Sequence, residues 1–80
     1  MVTTILRLPD VLHERGVSRS SHYLDIQRGL FTHQVKIGAR SVGWPASDVT
    51  ALNAARIAGK SEEEISALVL TLEAARKIAG

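Results

Sequence analysis

The spacing of apolar and polar residues predicts two short helices near the beginning of the chain. A β-prone segment at residues 3–8 comes first, and we expect its Ile5 and Leu6 to point toward the core. Pro9 and Asp10 then suit the first turn of a helix, because proline fits that position and an acidic side chain favours the positive end of the helix dipole. This helix, PDVLHER, is expected to bury Val11 and Leu12.

A glycine turn is predicted to join this helix to a second one. Gly16 can take the left-handed conformation that ends a helix, and Ser18 has the hydroxyl group that an N-cap residue needs. The second helix is therefore expected from Ser18 to about Arg28, ending at Gly29. Two short helices joined by a glycine-containing turn form a helix-turn-helix.

Alternating apolar and polar residues in QVKIGARSVGW, residues 34–44, predict a β-hairpin after the helix-turn-helix. Val35 and Ile37 are expected on one side of the strand, with Gln34 and Lys36 on the other. The segment GARS interrupts the alternation and forms a basic tip, and the proline of VGWP closes the second strand. The residues expected in the core here are Leu30, Phe31 and Trp44.

Two further helices are predicted in the second half of the chain. Ser47 can cap the third helix, SDVTALNAARIA, which ends at Gly59. Ser61 and Glu64 have the spacing of a capping box at the beginning of the fourth. The apolar positions are Val49, Leu52 and Ile57 in the third helix, and Ile65, Leu68, Val69, Leu72 and Ala75 in the fourth. The stripe on the fourth helix can complete the core or pair with the same helix of a second chain.

Composition narrows the class of protein. The chain has 80 residues, enough for one domain, and its lack of cysteine excludes disulfides, thiolate catalysis and cysteine-based zinc sites. No apolar run reaches the roughly 20 residues of a membrane span and no signal-type leader is visible, so we expect a soluble intracellular domain. Residues 1–45 have six basic and three acidic side chains, whereas residues 46–80 have four basic and five acidic ones. The N-terminal half is therefore the expected surface for an anionic partner.

A helix-turn-helix followed by a basic hairpin is the layout of a winged helix, a mainly α fold of the α+β class whose second helix enters the major groove of double-stranded DNA. Arg19 is the expected base contact, since its planar guanidinium group can bond O6 and N7 of a guanine. Arg40 at the hairpin tip is expected to reach an adjacent groove or the backbone. The candidate DNA-binding residues are Ser18, Arg19, Ser20, Ser21, Tyr23, Gln27, Arg28, Lys36, Arg40 and Ser41.

Two motifs, GVSRSSHY at residues 16–23 and VKIGARSVGW at residues 35–44, together resemble the AlpA family of phage- and prophage-encoded regulators. These are small relatives of the excisionases and of the DNA-binding domain of MerR regulators. The resemblance covers about Ile5 to Ile57. It implies a winged helix-turn-helix that binds promoter or attachment-site DNA and has no enzymatic activity.

The second helix departs from the family pattern in three places. The family usually has an aliphatic residue at the position of His22, and often another near Asp25, both on the inward side of the helix. Leu24 stands where the family favours a basic residue that faces DNA. His22 and Asp25 are three positions apart, so we expect them to pair on one face of the helix.

The other chemistry in the chain is sparse. The histidines at positions 13, 22 and 33 have no metal-ligand spacing, so we expect no metal, no cofactor and no small-molecule ligand. His22 and Asp25 could be two members of a catalytic triad, but a chain with a small core and many serines produces such a pair by coincidence. We therefore do not expect an enzyme.

The leading hypothesis is a bacterial or prophage DNA-binding transcription regulator, which we expect in the cytoplasm in association with the nucleoid. Residues 1–58 would form the DNA-binding domain, and residues 59–80 a helix for packing or homodimerisation. The contacts of a dimer would come from Ile65, Leu68, Val69 and Leu72. Two alternatives stay open: an excisionase-like architectural factor that bends attachment-site DNA, and a protein-interaction module that binds a partner through its C-terminal helix.

Overall fold

The computed structural model describes residues 4–79 of the chain, with side chains as far as residue 76. Helices and short strands follow one another in the order expected for a winged helix-turn-helix. Their bounds are β1 Ile5–Leu6, α1 Leu8–Arg15, α2 Arg19–Gln27, β2 Val35–Lys36, β3 Val42–Pro45, α3 Ala46–Ile57 and α4 Glu62–Ala79. The predicted fold class is confirmed. Thr3, which belongs to the predicted first strand, lies outside the described residues.

The turn between α1 and α2 forms as the glycine and serine positions predicted. Gly16 has a φ of 67°, and its N–H donates to the Leu12 carbonyl oxygen at 2.8 Å, which ends α1. Ser18 caps α2, because its Oγ accepts a hydrogen bond from the Ser21 N–H. Of the expected buried pair in α1, Val11 is fully buried and Leu12 is half-buried.

The strands form an antiparallel sheet with β3 in the middle, in the order β1–β3–β2. Val35 pairs with Gly43 and Lys36 pairs with Val42, which confirms the predicted hairpin. The pairing of β1 with the other edge of β3 was not predicted. Gly43 allows these strands to approach closely, because a Cβ atom at this position would lie 2.7 Å from the Leu6 carbonyl oxygen.

The core lies between the sheet and the helices. Trp44 and Phe31 are fully buried in it, as predicted. The Trp44 Nε1–H donates to the Thr32 carbonyl oxygen at 2.9 Å, so the polar atom of the indole is satisfied inside the core. The buried hydrophobic residues are Val11, Ile26, Leu30, Phe31, Trp44, Val49, Leu52, Ile65 and Val69.

Helix α4 folds back onto the winged helix and completes this core. Ile65 and Val69 are each 3% exposed, and Leu68 and Leu72 pack against the core partly buried. Of the two roles predicted for the stripe, the structure therefore shows packing within the chain. Ile65 and Val69 are therefore core residues of the single chain. Homodimerisation itself stays a prediction.

Polar contacts hold the C-terminal part of α4 in place. Arg76 contacts the carboxylate of Asp48 in α3 and donates from Nη1 to the His33 carbonyl oxygen at 2.8 Å. Glu73 Oε2 accepts the His33 backbone N–H at 2.7 Å and lies 2.8 Å from the ring Nδ1. Burial acts to raise the pKa of Glu73, but the His33 hydrogen bonds and the charges of His33 and Arg76 outweigh it and lower that pKa.

Ile5 does not point into the core, contrary to expectation. It is 42% exposed, and Ile37, just after β2, is 45% exposed. Both side chains lie over Gly43, where each has an atom 2.7 Å from the place a Cβ would occupy. Because successive residues of a strand alternate between faces, this is the face opposite to Trp44.

Three positions in α3 and α4 also differ from expectation. Ile57 is the last residue of α3 and is 87% exposed, and Ala75 is exposed on α4. Ser47 does not cap α3, because the helix begins at Ala46 directly after Pro45 and leaves Ser47 inside the first turn. The capping box at the start of α4 is confirmed by hydrogen bonds between Ser61 and Glu64.

Candidate nucleic-acid interface

The first turn of α2 presents hydroxyl groups and a guanidinium group to solvent. Ser18 Oγ accepts the Ser21 N–H at 3.2 Å, and the Ser18 hydroxyl donates to Ser21 Oγ at 3.1 Å. Ser18 is therefore engaged as the cap of the helix. Arg19, Ser20 and Ser21 are exposed at the end of the helix where free backbone N–H groups and the dipole attract anions.

One face of α2 is exposed along its whole length. Positions three or four apart share a face of a helix, so Leu24 lies between Ser20 and Ser21 on one side and Gln27 and Arg28 on the other. All of these residues are exposed, and Leu24 is 51% exposed. We call this set the outer face of α2.

The opposite face of α2 packs into the molecule. His22 is fully buried and Ile26 is 8% exposed. Tyr23, a predicted DNA contact, is half-buried against the core, and its ring lies 5.2 Å from the His22 ring in an edge-on arrangement. The structure thus places Tyr23 at the border of the outer face, with a packing role of its own.

The β2–β3 hairpin forms a wing with a basic tip. Its loop is closed by the Ile37 N–H, which donates to the Ser41 carbonyl oxygen at 2.9 Å, and Lys36 and Arg40 are exposed on it. Arg7 donates from Nη2 to Ser41 Oγ at 2.6 Å, so a third basic side chain joins the wing. Arg7 was not a predicted site residue, because its position depends on the pairing of β1 with β3.

Ion pairing divides the basic side chains of this region into two sets. Arg28 contacts both carboxylate oxygens of Glu62 at 3.2 Å in an exposed pair. Such pairs are worth at most about 1 kcal/mol, so a phosphate can replace the carboxylate. Among the side chains described, residues 4–76, those of Arg19, Lys36 and Arg40 have no ion-pair partner. Unpaired positive charge is therefore concentrated at the start of α2 and on the wing.

A buried arginine joins α1 to the inner side of α2. Arg15 is the last residue of α1, and its side chain is 2% exposed. Its Nη2 lies 2.6 Å from Asp25 Oδ2, and its Nη1 lies 2.8 Å from His22 Nδ1. The guanidinium carbon is 4.1 Å from the centre of the Phe31 ring, within the range of a cation–π interaction. His22 and Asp25 therefore meet through Arg15, and the expected direct pair is corrected.

This arrangement determines the protonation of His22. Burial is the main cause that lowers the pKa of His22 to about 4, and the charge of Arg15 adds to it, while Asp25 opposes. A guanidinium nitrogen can only donate, so the ring accepts at Nδ1 and carries its proton on Nε2. Burial also lowers the pKa of Arg15, against the opposing effect of Asp25. The cluster is a structural link that sets the orientation of α2.

The described part of the chain, residues 4–79, has no surface pocket, and its side chains form no group of three metal-ligating residues. None of its helices is long and apolar enough to cross a membrane.

The family model described as "Prophage CP4-57 regulatory protein (AlpA)" matches residues 4–57, which is more than half of the chain. The chain belongs to the AlpA family. The matched residues run from β1 to the end of α3 and include α2 and the wing; α4 lies beyond them.

This AlpA-family chain is similar in sequence to a curated relative, "Uncharacterized protein ORF88" of Enterobacteria phage P4. The two are 49% identical over 55 residues, which cover 69% of this chain and 62% of the relative. The chain therefore spans less than two thirds of the length of that relative. No solved structure matches the chain.

Arg15 explains how this AlpA-family chain accommodates two polar residues on the inner side of α2. The carboxylate of Asp25 and the Nδ1 atom of His22 are both satisfied by the same guanidinium group. Without this guanidinium group the Asp25 carboxylate and His22 Nδ1 would lose that partner, at a cost of about 1–3 kcal/mol for a buried atom left unpaired. The Nε2 atom of His22 is buried and has no hydrogen-bond partner among the described residues. The departures from the family pattern are therefore coupled through a residue in a different helix.

Proposed function

We propose that the chain is a sequence-specific DNA-binding transcription regulator. In this proposal the outer face of α2 enters the major groove and the wing contacts the flanking backbone. The observation that carries it is the distribution of unpaired positive charge. Arg19, Lys36 and Arg40 lie on these two elements without an ion-pair partner among the described side chains.

The start of α2 has the groups that read bases. Arg19 is exposed at the first position of the helix, and its guanidinium group can bond N7 and O6 of a guanine at once. Ser20 and Ser21 can donate hydrogen bonds to phosphates or to the base edges. We assign Ser18 to capping alone, because its hydroxyl both accepts from and donates to Ser21.

The wing has the groups that hold a phosphate backbone. Arg40 and Lys36 are exposed, and Arg7 lies beside them through its bond to Ser41. Such contacts carry no sequence information but fix the register of the protein on the duplex. Each one releases a counterion, so the affinity falls with salt at a logarithmic slope of roughly −0.9 per contact.

A single chain with few phosphate contacts binds DNA weakly at physiological salt. We therefore also propose that two copies of the chain bind two half-sites on the DNA. Because Ile65 and Val69 are in the core, this dimer would use the outer side of α4, where Leu70 is 67% exposed. Sedimentation of the complex with DNA gives its stoichiometry.

Fluorescence anisotropy with labelled duplexes tests the function. Duplexes from upstream of the gene and from a neighbouring attachment region are compared with a scrambled duplex at several salt concentrations. Arg19→Ala is expected to lower the affinity for the preferred duplex by roughly 5- to 150-fold, equivalent to 1–3 kcal/mol, and to erase the preference for that duplex. Arg40→Ala is expected to lower the affinity for all duplexes alike and to reduce the salt slope by about 1.

Lys60→Ala is the matched control, because Lys60 is an exposed cation in the turn between α3 and α4. It is expected to leave affinity and preference unchanged. Preference for an attachment-region duplex over the upstream duplex would favour the architectural alternative. Absence of binding to any duplex at low salt would refute the DNA-binding proposal and favour the protein-interaction alternative.

A further inference from the structure

The outer face of α2 contains one feature that hydrogen bonding to DNA does not explain. Leu24 is 51% exposed in the middle of this face. Its neighbours one turn before and one turn after are Ser20, Ser21, Gln27 and Arg28, all polar and exposed. A single exposed leucine elsewhere on a surface needs no explanation. This leucine, however, lies at the centre of the surface that carries the candidate contacts to bases.

The chemistry of the major groove supplies a matching group. Serine, glutamine and arginine recognise donors and acceptors on base edges, but the C5-methyl group of thymine is apolar and is recognised by apolar contact. The rise from residue 19 to residue 24 along the helix is about 7.5 Å. The two residues are also about 140° apart around the helix axis, so Leu24 faces a different base from the one that Arg19 would contact.

We propose that Leu24 is a specificity residue that packs against the C5-methyl group of a thymine in the target site. This inference rests on the proposed function, since it requires α2 to lie in the major groove. It adds to that function one defined preference: a thymine, rather than a base without a methyl group, at one position of the target site.

The test replaces thymines of the preferred duplex, one at a time, with deoxyuridine. This change removes only the methyl group and leaves the hydrogen-bonding edge of the base intact. Burial of one methyl-sized group is worth about 0.8 kcal/mol, or about 4-fold in affinity. We therefore expect the unaltered chain to lose about 4-fold at one position, and Leu24→Ala to bind thymine and uracil there equally well.

Two controls separate this effect from general weakening. Ile57→Ala truncates another exposed aliphatic side chain, 87% exposed at the end of α3, and is expected to keep the full difference between thymine and uracil. Arg40→Ala is expected to bind more weakly overall but to keep that difference as well. Leu24→Gln is the second variant, used if Leu24→Ala alters the thermal unfolding curve, and it is also expected to abolish the difference.

The outcomes distinguish the inference from the function on which it rests. If the unaltered chain binds no duplex, both fail. If it prefers one duplex but shows no loss with deoxyuridine at any position, the inference is overturned and the proposed function stands. The same holds if the loss persists in Leu24→Ala and Leu24→Gln, because another group would then contact the methyl.

Discussion

Acidification from pH 7 to pH 4 is expected to destabilise the chain through the protonation of one buried histidine. His22 is fully buried, and its ring lies edge-on to the rings of Tyr23, Phe31 and Trp44 at 4.7–5.2 Å between centroids. Its Nδ1 atom faces the guanidinium group of Arg15. Both surroundings disfavour a positive charge on the ring.

The sign and size of the effect follow from the two pKa values. The pKa of His22 is 6.5 without these surroundings and about 4 in the folded chain. Above pH 6.5 the ring is neutral in both states, so the free energy of unfolding does not depend on it. Between pH 6.5 and 4 only the unfolded state binds the proton, and stability falls as the pH falls. One pKa unit corresponds to about 1.4 kcal/mol, so the full loss is on the order of 3 kcal/mol.

Urea denaturation followed by the fluorescence of Trp44 measures this loss between pH 7 and pH 4. His22→Leu is the matched control, because it keeps an apolar side chain of similar size and removes the titrating ring. Glu64 and Glu73 also have lowered pKa values, but they are present in both proteins and cancel in the comparison. The difference in pH dependence between the two chains therefore reports His22.

Parallel loss of stability in the unaltered chain and in His22→Leu would refute this reasoning. So would an NMR titration in which the His22 ring protonates near pH 6.5 in the folded chain. Either result would mean that water reaches the ring and that Arg15 does not face its Nδ1 atom.

Two further predictions concern the elements that position α2 and the wing. Arg15→Met is expected to lower the free energy of unfolding by about 3–5 kcal/mol, because it leaves Asp25 partly buried without its main partner. The control Lys60→Met, at an exposed cation, should change the free energy of unfolding by less than about 0.5 kcal/mol. Equal losses of stability for the two variants in chemical denaturation would count against the buried cluster. Gly43→Ala is expected to cost about 1–3 kcal/mol by overpacking, because the new Cβ would lie 2.7 Å from the Leu6 carbonyl oxygen. A melting temperature unchanged by Gly43→Ala would show that β1 and β3 are not so close.

Much of this fold could be predicted because its boundaries are set by local chemistry. Gly16 ends α1 and Ser18 caps α2 through interactions within a few residues, and the hairpin alternates as expected. One error is local, because α3 begins at Ala46, before the predicted cap Ser47. Another involves contacts between distant parts of the chain: Ile5 is exposed because it covers Gly43 on the outer face of the sheet, which depends on how three strands pair.

Only part of the candidate site could be predicted from the sequence. The outer face of α2 and the basic tip of the wing could be placed from helical and strand spacing. The burial of Arg15 could not, since an arginine at the end of a helix normally lies in solvent near the negative end of the dipole. Arg15 is buried only because Asp25 and His22 reach it from another helix.

Titration of the isotopically labelled chain with its preferred duplex, followed by NMR, tests the central claim most directly. We predict that the backbone amide signals of residues 19–21 and 36–41 shift or broaden. Changes confined to α4, with α2 and the wing unaffected, would contradict it.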